Sequence, residues 1–280
     1  MNLRRTIRRY LRRLAYAVSR LITFVVRRRY RFAVERIPVE RVAVRLTSLP
    51  PHLKNFTIGV LTDLHVGALV DPEYIRAAAA RLAAERPDLI VVTGDFVSGA
   101  GSVGLLSDLL APVRGAWGVL GNWDYDHADE MRAEPAVPLL VNRGVEAAPG
   151  LWLAGVDEAI LGSPDLDAAM AGAPEGAVRI LLCHEPDFAD RVEARHRVAL
   201  QISGHSHGGQ VRLPFTGPLL LPPGGRRYVA GLYQAPHCQV YTSRGLGVAH
   251  LPVRILCPPE ITVLSLVASH EGDRGSPETH

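Results

Sequence analysis

Short apolar runs punctuate the chain at 57–61, 89–92, 117–120, 180–183 and 198–202, and a polar residue able to bind a cation follows closely on each. Runs of this length, bounded by Gly, Pro and Asp, predict strands, so the polar residues that follow stand at strand ends. An earlier run, 39–46, predicts a first strand, and Pro50-Pro51 marks a turn before the next. Asp71-Pro72 reads as an N-cap and first helical residue, opening an Ala-rich helix that stops before Pro87. Strand, helix, strand is the pattern that places ligands above the carboxyl edge of a sheet. Later runs at 151–156, 239–243 and 261–267 come with shorter connections and predict a second, mixed sheet. No internal repeat interrupts this order.

The first 36 residues follow another rule. Leu3, Ile7, Leu11, Leu14, Val18, Leu21 and Val25 recur every three or four positions, which places them along one face of a helix. Twelve arginines and one acid, Glu35, give the segment a charge of +11; against a whole-chain charge of +3, the remainder carries −8. The longest apolar stretch, 14–26, is broken by Arg20 and would reach only about 20 Å, short of the ~30 Å hydrocarbon core of a bilayer. Such a helix is expected to lie in the interface of an anionic membrane rather than cross it. Arg8-Arg9-Tyr10-Leu11 faintly resembles a twin-arginine export signal, but Arg20 spoils the apolar region and no small-residue cleavage site follows. Export is therefore the alternative, and a transit peptide a weaker one. A nucleic-acid-binding arm would need no apolar stripe, so no nucleic-acid partner is expected. The expected place is the cytoplasmic face of an inner membrane.

The domain boundaries follow: residues 1–36 are a membrane-anchoring arm, 37–269 one α/β domain with ample core, and 270–280 a polar tail. Cys183, Cys238 and Cys257 are odd in number and lack metal-finger spacing, which fits buried, reduced thiols.

The residues at the strand ends carry the chemistry. They are Asp63 and His65, Asp95, Asn122, His184, and His205 and His207. A lone Asp or Asn after a strand is usually a turn former or helix cap. Seven metal-binding side chains at the strand ends of one domain point instead to a two-metal hydrolytic site. Two divalent cations hold a phosphoryl group and activate a water. Imidazole and carboxylate suit Mn, Fe or Zn, and Asp95 is the natural carboxylate to lie between two ions. Gly204 before His205-Ser206-His207 lets the backbone turn sharply.

In the order Asp-x-His, Gly-Asp, Gly-Asn-x-Asp, His and Gly-His-x-His, the chain resembles the calcineurin-like metallophosphoesterases over about residues 56–267. Thr62-Asp63-Leu64-His65-Val66-Gly67, the motif from Gly204 to Val211 and Cys257-Pro258-Pro259-Glu260 resemble their membrane-associated bacterial branch. The resemblance implies two mixed sheets packed face to face with helices outside. It also implies one metal on Asp63, His65, Asp95 and His207, and a second on Asp95, Asn122, His184 and His205.

One position departs from that pattern. Trp123 stands where the family carries a His credited with contacting phosphate and protonating the leaving group. Indole is a donor that does not titrate, so it cannot serve as an acid at neutral pH. A phosphate leaving from a pyrophosphate needs no proton, and some relatives that cleave UDP-diacylglucosamine also lack this His. His127 is a possible substitute acid. Residues 214–225 form an unusually apolar loop, expected either to pack on the core or to meet a membrane or acyl chain, and Arg226 and Arg227 are candidate phosphate contacts. The expected activity is hydrolysis of a lipid-linked phosphodiester or pyrophosphate, UDP-2,3-diacylglucosamine being the specific case. Asp95, Asn122 and His205 would carry the catalysis, and Trp123 would contact substrate. The competing expectation, favoured by Trp123 alone, is a membrane-recruited scaffold without activity. No oligomeric state follows from these features.

Overall fold

The period of two in the apolar runs sorts their side chains onto two sheet faces. The computed structural model describes residues 37–67, 69–99 and 101–269, so the arm, with Leu3 through Val25, and the tail lie outside the described residues. Five strands form one sheet: β1 (Val39–Leu46), β2 (Thr57–Leu61), β3 (Leu89–Thr93), β4 (Trp117–Val119) and β13 (Ile261–Ala268). The second large sheet holds β5 (Arg143–Ala148), β6 (Leu151–Gly155), β7 (Val178–Leu182), β8 (Val198–Ser203), β11 (Gly231–Gln234) and β12 (Gln239–Thr242). A two-stranded hairpin, β9 (Arg212–Leu213) and β10 (Gly217–Pro218), stands apart.

Strand order is β1-β13-β2-β3-β4 in the first sheet and β11-β12-β8-β7-β6-β5 in the second. Both are mixed: β2, β3 and β4 run parallel, as do β6, β7, β8 and β12, with antiparallel neighbours outside them. Ile58, Val60, Val91 and Val119 from one sheet meet Leu153, Ile180, Leu182, Leu200 and Ile202 from the other in a single buried layer. Alternate residues face outward and are buried again. Leu61 and Val92 lie under helix α1 (Pro72–Ala84), which covers them with Tyr74, Ile75, Ala78 and Leu82. Leu181 and Cys183 pack beneath Met170 and Phe188. Burial on both faces is why these strands read as unbroken apolar runs; each large side chain so enclosed contributes roughly 1.5–3 kcal/mol.

Helix α1 begins as its sequence dictates. The Asp71 carboxylate accepts from the amide of Glu73 at 3.0 Å, and Pro72 occupies the first turn. The run at 261–267 corrects the sequence expectation. It does not join the second sheet but enters the first as β13, between β1 and β2, where Leu264 and Leu266 complete the central layer. Short connections mark neighbours only when strands pair in sequence, and β13 returns across the whole domain.

Candidate metal centre

The carboxyl ends of β2, β3 and β4 and of β7 and β8 meet at one edge of the sandwich, and the seven predicted residues lie there. The β2–β3 ladder continues past the strands: the amides of Asp63, His65 and Val66 donate to the carbonyls of Gly94, Asp95 and Phe96 at 3.0, 2.9 and 2.9 Å. Asp63, His65, Asp95, His205 and His207 all hold positive φ, between 48 and 69°. Non-glycine residues rarely adopt this conformation, which costs roughly 1–2 kcal/mol each. Such strain persists only where the surroundings over-determine it.

Two ligand groups result. Asp63, His65, Asp95 and His207 converge in one, and Asp95, His184 and His205 in the other, all buried, with Asp95 common to both. Within the first, Nε2 of His65 lies 3.0 Å from Nε2 of His207 and 3.5 Å from Oδ2 of Asp95, and Nε2 of His207 lies 3.3 Å from Oδ1 of Asp63. Within the second, Nε2 of His184 stands 3.2 Å from Oδ2 of Asp95. Separations of this size are the edges of a coordination shell whose bonds are about 2.0–2.2 Å. Asn122 joins the second group through Oδ1, 3.0 Å from Nδ1 of His205.

The outer partners set each ring's free nitrogen. His65 Nδ1 meets Ser98 Oγ at 2.8 Å, and His184 Nδ1 meets the carbonyl of Thr93 at 2.6 Å, so Nε2 of each faces inward. Nε2 of His184 is buried and, although 3.2 Å from the Asp95 carboxylate, makes no well-aligned hydrogen bond. On His205 the arrangement is reversed: Nε2–H donates to the Pro223 carbonyl at 2.8 Å and leaves Nδ1 toward Asn122. A buried nitrogen without an aligned hydrogen bond, facing imidazole nitrogens and a shared carboxylate fit two divalent cations.

Charge is distributed unevenly before metal enters. Burial pushes the His65 and His205 imidazoles down to about 4, overcoming Asp95 in both cases, so both are neutral near pH 7. Burial opposes charge on His184 as well, but Asp95 outweighs it and holds that imidazole well above its usual value. Burial alone would raise Asp63 and Asp95; their histidine neighbours, His207 and His184 foremost, hold both carboxyls below the usual carboxylate range. Asp124 behaves differently. Burial and the nearby Asp95 raise it to about 7. Its two oxygens accept from the amides of Gly121 and Val97 at 2.9 and 3.1 Å, clamping the turns that carry Asn122 and Asp95.

A cleft of about 400 Å³ opens over Asp95, Asn122, His205 and His207, with Trp123 and His250 on its wall. Leu219, Leu220, Leu221, Pro222 and Pro223 line it as well. A larger opening of about 960 Å³ lies among Arg45, Arg179 and Arg197; it sits at the amino ends of β7 and β8, the edge away from the ligands. Trp123 is edge-on to His65, ring centroids 5.4 Å apart, and its other neighbour is His250 at 5.1 Å. His250 is the cleft's one imidazole outside both ligand groups among the described residues. It sits in an aperiodic loop with no sequence signal.

Other predicted residues fall elsewhere. His127 lies in the turn Tyr125–His127 and does not line the cleft. Neither do Arg226 and Arg227, which are exposed: their amides donate to the Asp187 carboxylate, and the Arg227 guanidinium pairs with Asp190 at 2.8 Å. Asp187 and Asp190, five and eight residues after β7 ends at Leu182, hold that loop, so Arg227 is paired outside the cleft. Leu219 and Leu220 are 56% and 79% exposed, so the loop 214–225 does not pack wholly on the core. The motif at Cys257 closes the site from behind. Its thiol meets the carbonyl of His207 at 3.1 Å, and Glu260, buried, pairs with Arg244 at 2.6 Å. All three cysteines are free and buried.

Comparisons with known proteins agree with this chemistry. The family model for calcineurin-like phosphoesterases matches residues 56–209. The chain is 35% identical over 241 residues to the uncharacterized metallophosphoesterase YkuE of Bacillus subtilis, covering 80% of this chain and 84% of that protein. It is 31% identical to phosphodiesterase YaeI of Escherichia coli, covering 81% and 88%. A Danio rerio transmembrane protein with a metallophosphoesterase domain is 30% identical, and the matched part spans 82% of this chain and 56% of that protein. Motif order, the converging ligand groups and this extent of likeness have one explanation: the chain belongs to the calcineurin-like phosphoesterase family and is a metal-dependent phosphoester hydrolase.

Proposed function

We propose that the protein cleaves a phosphodiester or pyrophosphate of a lipid-linked substrate at an anionic membrane surface, with UDP-2,3-diacylglucosamine, split to a lipid monophosphate and UMP, as the first substrate to test. The observation that carries this reading is the mixed lining of the cleft, where candidate metal ligands share one opening with Leu219, Leu220, Leu221 and Leu251. Such a site suits a molecule with a phosphate at one end and acyl chains at the other. The names of two relatives, a phosphodiesterase and a transmembrane protein, are in keeping with it.

Two divalent cations, when bound, supply positive charge to the phosphoryl oxygens and make a water nucleophilic near neutral pH. Asp63, His65, Asp95 and His207 would hold one, and Asp95, Asn122, His184 and His205 the other. Asn122 and His205 face the cleft and orient the phosphoryl group. Trp123 walls the cleft and donates no proton from its ring. A phosphate leaving group needs none, whereas an alkoxide would draw on His250.

The test is turnover of UDP-2,3-diacylglucosamine and of soluble diesters in mixed micelles with Mn²⁺, with Asp95→Asn as control. Release of UMP by the native chain and none by the variant is the expected result. Metal-dependent cleavage of soluble diesters with no turnover of any lipid-linked substrate would overturn the lipid assignment.

A further inference from the structure

Single exposed apolar side chains are ordinary on a protein surface, but a cluster of them marks an interaction site. Eight of the twelve large apolar side chains exposed among the described residues belong to two segments, 213–220 and 251–256. The first includes the hairpin of β9 and β10, whose turn presents Phe215 wholly to solvent at 108% relative exposure with φ 67°. An aromatic ring in water on a left-handed backbone is unfavourable twice over, and no described residue covers it.

The two segments form one platform. Val211 bridges Ile255; the amide of Arg212 donates to the Ile255 carbonyl at 2.9 Å, and that of Ile255 to Gln210 at 3.0 Å. The Gln210 side chain locks the second segment, donating to the carbonyls of Ala249 and Leu251 at 3.0 and 2.9 Å and accepting from the Ala249 amide at 2.9 Å. Leu219, Leu220 and Leu251 belong both to this platform and to the mouth of the cleft.

What covers it follows from where the arm enters. β1 runs parallel to β13, with Val39 beside Ile261, and β13 runs antiparallel to β2, with Thr262 beside Val60. The chain therefore enters the first sheet at the edge where Asp63 leaves it. Ile37 is buried there with Leu64, Leu246 and Val248, and the Ile261 amide donates to the Pro38 carbonyl at 3.1 Å. Twelve arginines precede Ile37 in the sequence, and the edge where Ile37 stands also carries the platform. An arm of this charge favours an anionic surface.

We propose that this platform docks on an anionic lipid bilayer, Phe215, Leu220 and Leu256 entering the acyl boundary, so that the mouth of the metal-binding cleft opens onto the lipid. The proposal rests on the membrane-surface reading above and adds which face meets the lipid. A substrate's phosphate then reaches the ligands without its acyl chains crossing water.

Because Cys183, Cys238 and Cys257 are buried, a polarity-sensitive fluorophore can be attached to full-length Phe215→Cys alone, with Leu256→Cys as a second position and Lys54→Cys, at the opposite edge, as the control. On vesicles of phosphatidylglycerol and phosphatidylethanolamine, emission from the two platform positions should shift to the blue and be quenched by acyl-brominated lipid, while the control stays unchanged. Vesicle-bound protein whose platform labels still report water would overturn the proposal, since the arm would then hold the protein with this face turned away. A blue shift that grows with protein concentration without vesicles would also overturn it, in favour of a second copy of the chain. Loss of all vesicle binding would sink the membrane-surface reading together with the platform. Metal-dependent hydrolysis of bis-p-nitrophenyl phosphate, measured on the same samples, keeps the two claims apart: labels that enter lipid on a protein without hydrolysis support the platform and count against the proposed activity.

Discussion

The backbone amide of Trp123 donates to Oδ1 of Asp95 at 2.9 Å, so the residue at the family's histidine position is tied to the shared carboxylate by its main chain and not by its ring. Changing the side chain leaves that tether in place. Trp123→His should alter hydrolysis of a pyrophosphate substrate little. It should raise hydrolysis of esters with poor alkoxide leaving groups by up to ~10²–10⁴-fold, the usual scale of general acid catalysis. Comparing kcat/KM for both substrate classes checks this, and a large gain on pyrophosphate would show that the native site lacks a needed proton. His250→Ala completes the comparison: a selective loss on alkyl esters assigns that proton to His250, and no loss on either class removes it from the mechanism.

Metal uptake should release protons. A ligating imidazole must be neutral, and the metal-free site holds His184 charged through Asp95 while His65 and His205, at about 4, have already lost theirs. Because His184 is raised, affinity should climb as pH rises through its folded value, not fall. Calorimetric titration with Zn²⁺ in buffers of different ionisation enthalpy reads the release, which is expected to be positive with His184 as its source and to diminish as pH rises. Uptake without proton release would show that His184 is neutral in the metal-free protein.

The arm and the platform should differ in salt response. Deleting residues 1–36 removes a charge of +11 and should weaken sedimentation with anionic vesicles strongly, at ~1 kcal/mol per well-placed Arg, while soluble diesters are still hydrolysed. Raising salt should weaken the full chain only in part, since screening leaves apolar burial intact. Truncated protein that binds as tightly as the full chain would shift the anchoring role to the platform.

Gly94 offers a test of how tightly the two sheets are locked together at the site. Its φ is 92°, and a Cβ there would lie 2.6 Å from Nδ1 of His184 and 2.8 Å from the amide of Gly121. Gly94→Ala should therefore destabilise by about 1–3 kcal/mol from crowding alone, seen as a Tm lower by several degrees, and should cut bound metal by displacing His184. An unchanged Tm and full metal content would mean that the turn yields more freely than its neighbours suggest.

The strand ends and their ligands were legible because a buried strand leaves an unbroken apolar run, and a metal ligand must be one of few residue types. Asp63, Asp95 and His184 needed nothing more. The place of β13 was hidden, since pairing across more than 200 residues with β1 leaves no local mark. Asp124 was marked by the Gly-Asn-x-Asp motif, but its part was not: that its carboxylate clamps two turns shows only in the fold. His250 and Gln210 owe their positions to loops without period. Arg227 stood out by its charge alone, and in the fold it lies outside the cleft, paired with Asp190.

The left-handed backbone at Asp63, His65, Asp95, His205 and His207 makes the catalytic edge easy to lose. Glycine tolerates that conformation without steric cost, and asparagine better than most, so drift toward either at these positions could relax the backbone while removing a ligand. Stability and activity therefore pull in opposite directions at five positions at once. A chain no longer selected for hydrolysis would have an open path toward a sturdier, inert fold, and this one still carries Asp or His at all five.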